Sequence, residues 1–205
     1  MLLASEFARV VDDAFERRAV ASRTLAAAAP FIASAALAMA RRFASGGRLI
    51  AFGSGAASTD AHHVVVEFLH PVVVGKRALP AMGLTSDVAT LTDIAAREGA
   101  HAIFARQLRQ LAVPSDIALG IVGERAHAAA VGNALDEARR RGLLRIVLRP
   151  TGDADAALDA DHTVAVDASD PLLAKELRVT VYHTLWELVH VFLDQPAVAR
   201  AARRA

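Results

Sequence analysis

The sequence predicts an α/β fold: a three-layer αβα sandwich built on a doubly wound, five-stranded parallel sheet, with a helical arm at its N-terminus. Three observations carry this. Short runs rich in Val, Ile, Leu and Ala recur at 48–53, 79–84, 117–122, 144–149 and 162–167. Helical patterns lie between them at 59–69, at 88–110 with a break near Gly99, and at 127–141. The strand runs are continuously apolar rather than alternating, as expected of strands buried on both faces. Strands alternating with helices give a parallel sheet, and right-handed crossovers cover it on both sides.

The elements follow in order. Phe7, Val10, Val11, Ala14 and Phe15 keep the three-four spacing of an amphipathic helix. Pro30 opens a second helix that runs to about Phe43, and Gly46-Gly47 ends it. From Arg48 the strand–helix alternation begins. Pro171 starts a long apolar last helix to about Leu193, carrying Lys175, Glu176, Arg178, Tyr182, His183, Trp186 and His190. The expected layout is residues 1–45 as helices for packing or oligomer contact, 46–195 as the α/β unit, and 196–205 as a solvated basic tail, functionally one domain.

Composition narrows the function. The chain has 205 residues, 54% of them hydrophobic, with net charge +1 and no cysteine. It is long enough for a full core. Near-neutral charge gives no nucleic-acid signal, and the lack of cysteine excludes disulfides and thiolate metal sites. The uncharged stretch from Thr24 to Ala40 is mostly alanine and contains Pro30, so it reads as a packing helix, not a membrane span. A cytoplasmic protein with no membrane partner is expected.

The chain is organised around Leu49 to Glu67. A short apolar strand turns through Gly53-Ser54-Gly55-Ala56-Ala57 and continues as a helix bearing His62, His63 and Glu67. Such a turn offers backbone N–H groups and a positive helix end to an anion, usually a phosphate. Ser54, Gly55, Ala56, Ser58 and Thr59 are the candidate anion contacts. His63 and Glu67, four apart, share one face. Ser58 stands where a dinucleotide fingerprint needs its third glycine, so a dinucleotide site is disfavoured. Ligands of open α/β sheets bind at the strands' carboxyl ends. That adds Thr85-Ser86-Asp87 and Val122-Gly123-Glu124-Arg125 to the same crevice, with Asp87 a candidate for a substrate hydroxyl.

The pattern G-x-G-x-x-S-x-D-A-x-H-x-x-x-E (Gly53, Gly55, Ser58, Asp60, Ala61, His63, Glu67) resembles the phosphoheptose isomerases of the sugar-isomerase (SIS) domain superfamily, whose sheet is flavodoxin-like. Ala78-Leu79-Pro80-Ala81 with Leu84-Thr85-Ser86-Asp87, Ile103 to Leu108, Pro114 to Ile121, and Glu176 to Leu185 resemble further family segments in the same order. The resemblance implies an aldose–ketose isomerase working through an enediol on a sugar phosphate. It implies a homotetramer with sites between subunits. Glu67 matches the family's base and His183 its acid/base partner. No cofactor is required, although in some members the positions of His63, Glu67 and His183 hold zinc together with a glutamine. Enolisation needs a base beside the carbon acid and a group that moves protons between oxygens, which a carboxylate and an imidazole supply.

The departures lie on the phosphate side. Ala57 replaces a serine, and Val122 to His127 replaces a Ser/Thr-rich loop, with Glu124 set to repel an anion. Lys175 stands where the family has its glutamine. Arg125 and Lys175 are therefore candidate replacements for lost anion contacts. The simpler alternatives are an exposed helix glutamate for Glu67, a capping or core histidine for His63, and a satisfied histidine in an apolar helix for His183. His62, His70 and His190 read as structural or exposed. The competing functional reading is a non-catalytic SIS protein that binds a sugar phosphate or a protein partner in a regulatory role.

Overall fold

The computed structural model describes residues 2–151, 158–166 and 168–198, the side chains of 2–5 excepted. Helices α1 (Leu2–Leu25) and α2 (Ala29–Ala44) precede β1 (Leu49–Gly53), α3 (Ala57–Leu69), β2 (Ala81–Gly83), α4 (Val88–Glu98), α5 (Ile103–Leu111), β3 (Ile117–Ile121), α6 (Ala128–Arg140), β4 (Leu144–Arg149), β5 (His162–Ala165) and α7 (Pro171–Leu193). The five strands form one parallel sheet in the order β2-β1-β3-β4-β5.

Every residue of β1, β3 and the first five of β4 is buried, as their unbroken apolar runs predict. Alternate residues face opposite layers. Leu49, Ala51, Ile117, Leu119, Ile146 and Leu148 pack beneath α2, α3 and α7. Ile50, Phe52, Ala118 and Val147 pack beneath the layer of α5 and α6. The chain leaves β1 toward one edge and β3 toward the other, so the order reverses between these two strands. The crevice outside their carboxyl ends is the switch point where such sheets bind ligands.

Several boundaries differ from expectation. The strand expected at 79–84 is only Ala81–Gly83, a half-buried edge strand. The helix expected at 59–69 starts earlier, at Ala57. The break expected near Gly99 is present: its φ of +92° suits glycine and stops α4. The helix expected from 127 starts at Ala128 behind a short 3₁₀ turn. Asp167, the end of the fifth expected strand, and residues 199–205, most of the basic tail, lie outside the described residues.

The N-terminal unit divides in two. Ile32, Ala35, Ala36, Met39, Ala40 and Phe43 of α2 belong to the core with α7 and the sheet. By contrast α1 leaves Phe7, Val10, Val11 and Phe15 more than half exposed. The stretch Glu6–Ala44 is long and apolar enough by composition to cross a membrane. Its α2 half forms a layer of this core.

The N-terminal ends of β1 and β3 are fixed by Asp116, whose side chain is fully buried. It accepts from Arg48 (N 2.9 Å, Nε 3.2 Å, Nη2 2.8 Å) and from the Val113 N–H at 3.0 Å. Burial alone would raise its pKa, but these donors outweigh it and hold the carboxyl below its ordinary value. The depressed pKa is a stabilising term present above the unfolded value of about 4 and lost as pH falls through the folded one. Asp116→Asn is expected to lower stability by about 2–3 kcal/mol at neutral pH, as for hydrogen bonds to a charged group. Urea melts should show that gap closing below about pH 4, where the wild-type carboxyl titrates.

Candidate active site

The turn after β1 is shaped by two glycines. A Cβ on Gly53 would stand 2.7 Å from the Ile121 carbonyl of the neighbouring strand. Gly55 has φ +60°, and a Cβ there would run into the His127 ring. The first residues of α3 carry no side-chain cap, because Ala56 stands at the N-cap position. An uncapped helix end at a strand's carboxyl edge leaves its positive pole open to an anion. The hydroxyls expected to donate there are turned inward. Ser58 Oγ donates to the Gly55 carbonyl at 2.7 Å, and Thr59 Oγ1 donates to the Ala56 carbonyl at 2.8 Å.

Beyond the turn, Asp60, His63 and Glu67 fall at i, i+3 and i+7 on one face of α3. Lys175, Arg178 and Tyr182 repeat that spacing on α7, with His183 next to them. The two stripes meet in register. The Asp60 side chain is 2% exposed; its Oδ1 accepts from Lys175 Nζ at 2.6 Å and its Oδ2 from Arg178 Nε at 3.0 Å. One turn on, Tyr182 Oη lies 2.7 Å from His63 Nδ1. His63 Nε2 lies 3.2 Å from Glu67 Oε1 and 3.4 Å from His183 Nε2. His183 Nε2 is 3.9 Å from the same Glu67 oxygen. Glu67 is mostly covered, at 16% side-chain exposure, whereas His183 at 47% faces solvent. The result is a shielded carboxylate bracketed by two imidazoles, one of them open to an incoming molecule.

Glu67, His63 and His183 are thus brought together as expected. Their ligand atoms lie within 4.8 Å of one another, and two imidazoles with a carboxylate are a donor set suited to zinc.

Other expected contacts sit elsewhere. Asp87 is exposed and caps α4, accepting from Thr90 N at 3.1 Å and Thr90 Oγ1 at 2.6 Å. Those bonds, the hydroxyl's first, hold its carboxyl below its ordinary pKa. Both oxygens thus accept locally as the N-cap of α4. Lys175 reaches the mouth of the turn, but its ammonium is held by Asp60 and by Thr59 Oγ1 at 2.8 Å. Arg125 and Glu124 are exposed in the loop after β3 and touch no other charged group among the described residues.

Three participants escape a reading of the sequence alone. Arg178 is 5% exposed, and its terminal nitrogen Nη2 lies beside Gly123, 3.8 Å from where a Cβ would stand. Tyr182 is fully buried, and burial, followed by the charges of Asp60 and Glu67, pushes its phenol far above the ordinary range. His127 packs over Gly55 with its Nδ1 buried and unpartnered among the described residues. His62, expected to be structural or exposed, is exposed and ties α3 to the loop after β2 through Thr85 Oγ1 at 2.7 Å and Ser86 Oγ at 3.0 Å. The matched i, i+3, i+7 spacing on α3 and α7 is the sequence signal for Arg178 and Tyr182. His190, expected to be structural, is buried against the carbonyls of Trp186 and Arg77.

Removing Asp60 leaves a buried guanidinium without its counter-ion, a change that costs about 3–5 kcal/mol. Lys175 is 39% exposed, so its share of the pairing is screened and worth under about 1 kcal/mol. Thermal melts should therefore show a large drop for Asp60→Ala and a small one for Lys175→Ala.

Comparison with known proteins agrees with this geometry. Residues 15–149 match the SIS domain family. A phosphoheptose isomerase of Desulfovibrio desulfuricans is 33% identical over 175 residues, covering 84% of this chain and 82% of its own. One from Thermodesulfovibrio yellowstonii is 30% identical over 167 residues, covering 81% and 83%. A solved phosphoheptose isomerase of Francisella tularensis superposes with a TM-score of 0.79 at 27% identity, over 89% of this chain and 97% of that one. The Neisseria gonorrhoeae enzyme gives 0.74 at 25% identity, over 88% and 98%. With the turn, the α3 stripe and the sheet order all in place, the chain belongs to the SIS-domain family, among the phosphoheptose isomerases.

Proposed function

We propose that this protein is a sugar-phosphate aldose–ketose isomerase of the phosphoheptose type, acting on sedoheptulose 7-phosphate or a close relative through an enediol. The observation that carries this reading is the Glu67 carboxylate set between His63 and His183, on the helix whose uncapped N-terminus opens at the sheet's switch point. About 15 Å of helix axis separates Ala57 from Glu67, and the glutamate side chain leans back toward the N-terminus. That span suits a ligand with an anion at one end and a carbonyl at the other.

Glu67 takes the proton from the carbon beside the carbonyl. Its Oε1 is held at 3.2 Å by His63, and its other oxygen has no partner among the described residues. His183, exposed on the open side, moves a proton between the two substrate oxygens of the enediol. His63 orients Glu67. Such positioned proton transfers contribute roughly 10²–10⁴-fold each. Zinc, if bound, would sit on His63, Glu67 and His183 and polarise the carbonyl as a Lewis acid. The ester anion is met by the α3 N-terminus, with the Lys175 ammonium and Arg178 guanidinium close by. Arg125, exposed in the loop after β3, supplies a further cation for the ester, so that charge takes over where hydroxyls are missing. A cytoplasmic homotetramer, with the exposed apolar face of α1 covered by another subunit, completes the proposal.

Glu67→Gln keeps shape and hydrogen bonding but removes the base. It is expected to lower isomerisation of sedoheptulose 7-phosphate at least ~10²-fold, while calorimetry shows sugar-phosphate affinity within about twofold of wild type. Full turnover in this variant would overturn the assignment of the base. Arg125→Ala and Lys175→Ala are expected to weaken sugar-phosphate binding by roughly tenfold each, since a charged hydrogen bond is worth about 1.5–3 kcal/mol before solvent screening. Unchanged affinity in both would remove the relocated anion contacts. A wild-type protein that binds the sugar phosphate tightly yet never turns it over would favour the regulatory reading, to which Glu124 and the missing hydroxyls lend weight.

A further inference from the structure

Arg178 is a buried cation whose counter-ion engages it on one side only. The residue is 5% exposed, and its Nε donates to Asp60 Oδ2 at 3.0 Å. Its terminal N–H groups, on Nη1 and Nη2, meet no acceptor among the described residues. Neither terminal nitrogen is sealed off, so this edge is open to a molecule from outside. A buried donor left unmet is unfavourable, so the free edge calls for an acceptor. Lys175, by contrast, directs its ammonium at Asp60 Oδ1, Thr59 Oγ1 and the Ala56 carbonyl, at 2.6, 2.8 and 3.5 Å. The free edge lies beside the start of α3. The place where a Cβ would stand on Gly123 is 3.8 Å from Arg178 Nη2, 3.8 Å from Ala57 N and 3.5 Å from Ala57 Cβ. Gly123, in the loop after β3, thus leaves open the gap between Arg178 and the first turn of α3. The adjoining turn has donors to spare. The N–H groups of Ala57 and Ser58 donate back to the Ser54 and Gly55 carbonyls at 3.2 and 3.1 Å, whereas those of Ser54, Gly55 and Ala56 meet no acceptor among the described residues. Two cations against one carboxylate also leave the Asp60 cluster net positive.

We infer that Arg178 is the specificity-determining residue of the site: its outer guanidinium edge binds two oxygens of a phosphate ester, in a slot that Gly123 keeps open. This rests on the reading of the turn after β1 as the anion end of a sugar-phosphate site. Asp60 holds Nε and so fixes the plane of the guanidinium before a ligand arrives, which spares the cost of ordering it on binding. A planar edge of parallel N–H donors matches two oxygens of a phosphate. A sugar without its ester has no such pair of charged oxygens, so the slot favours the phosphorylated sugar over the free one. Lysine at this position would not serve, because one ammonium paired with Asp60 has no fork that reaches past it. The two cations of α7 thereby have different duties: Lys175 anchors Asp60 and Thr59, and Arg178 faces the ligand.

The test is calorimetric titration with sedoheptulose 7-phosphate, with inorganic phosphate and with unphosphorylated sedoheptulose. Two variants accompany the wild type, and thermal melts check that each folds. Arg178→Lys keeps a cation for Asp60 but has no outer edge. Gly123→Ala puts a methyl group in the gap at ordinary van der Waals distances, so the fold itself is not strained. Arg178→Lys is expected to weaken binding of the ester about hundredfold, an order of magnitude beyond the change expected of Lys175→Ala, because two charged hydrogen bonds are lost. Gly123→Ala is expected to weaken it about tenfold, as for one such bond. Inorganic phosphate should lose affinity in parallel, while the free sugar should bind all three proteins alike. In turnover the loss should fall on KM, with kcat kept within about threefold. Wild-type affinity for the ester in a folded Arg178→Lys overturns the inference. If that variant does not fold, Gly123→Ala decides, and unchanged affinity there overturns it. A wild type that binds neither the ester nor inorganic phosphate also overturns it. Inorganic phosphate bound through Arg178 by a protein that ignores sedoheptulose 7-phosphate, or that binds the ester without ever turning it over, would uphold the slot and reject the isomerase reading, so the two failures are distinct.

Discussion

The pairing of buried Asp60 with Lys175 and Arg178 is the constraint on which the site depends. It joins α3 and α7 through a carboxylate buried between two cations. Its position settles the register of everything above it. With Oδ1 on Lys175 and Oδ2 on Arg178, the next turn of α3 brings His63 to Tyr182, and the one after brings Glu67 to His183. Sliding the helices by one residue would separate all three pairs. A buried ion pair adds little net stability compared with a well-packed apolar contact, but breaking one side of it is costly. That asymmetry is what a register lock needs. The carboxylate also lies in the first turn of α3, where the helix dipole favours it.

Much of this was legible in the sequence, for reasons that can be named. Continuous apolar runs identified β1, β3 and β4, because both faces of those strands are covered. The small-residue turn followed by His63 and Glu67 identified the site, because helix periodicity fixes which residues share a face whatever else happens. The edge strand was drawn too long because Pro80 and its neighbours are as apolar as a strand but have a partner on one side only. The capping role of Asp87 was hidden because an acid at the end of a strand looks the same whether it meets a ligand or caps the next helix. Its bonds to Thr90, three residues on, mark a cap. Tyr182 and Arg178 were hidden for another reason. Their roles exist only once α7, more than a hundred residues downstream, is laid beside α3. The apolar character of α7 made its polar residues look incidental.

The two halves of the site have diverged to different degrees. The end proposed for the chemistry keeps a carboxylate and two imidazoles in contact. At the anion end, the hydroxyls of Ser58 and Thr59 are turned onto backbone carbonyls, and the Lys175 and Arg178 cations lie close by, paired with Asp60. Charged contacts are roughly twice as strong as neutral ones. A site so altered can keep enediol chemistry while changing the range of anionic sugars it accepts. The proximity of His127 to Gly55 narrows the turn further and places an imidazole where the family has a small hydroxyl loop.

The measurement that bears most directly on this account is solvent isotope exchange. Sedoheptulose 7-phosphate is incubated with the protein in deuterium oxide and followed by proton NMR, with a parallel sample containing zinc. The account predicts deuterium at the carbon beside the carbonyl, because a base that forms an enediol exchanges its proton with solvent before returning it. A sugar phosphate that binds, shown by shifts in its resonances, yet gains no deuterium with or without zinc would contradict it.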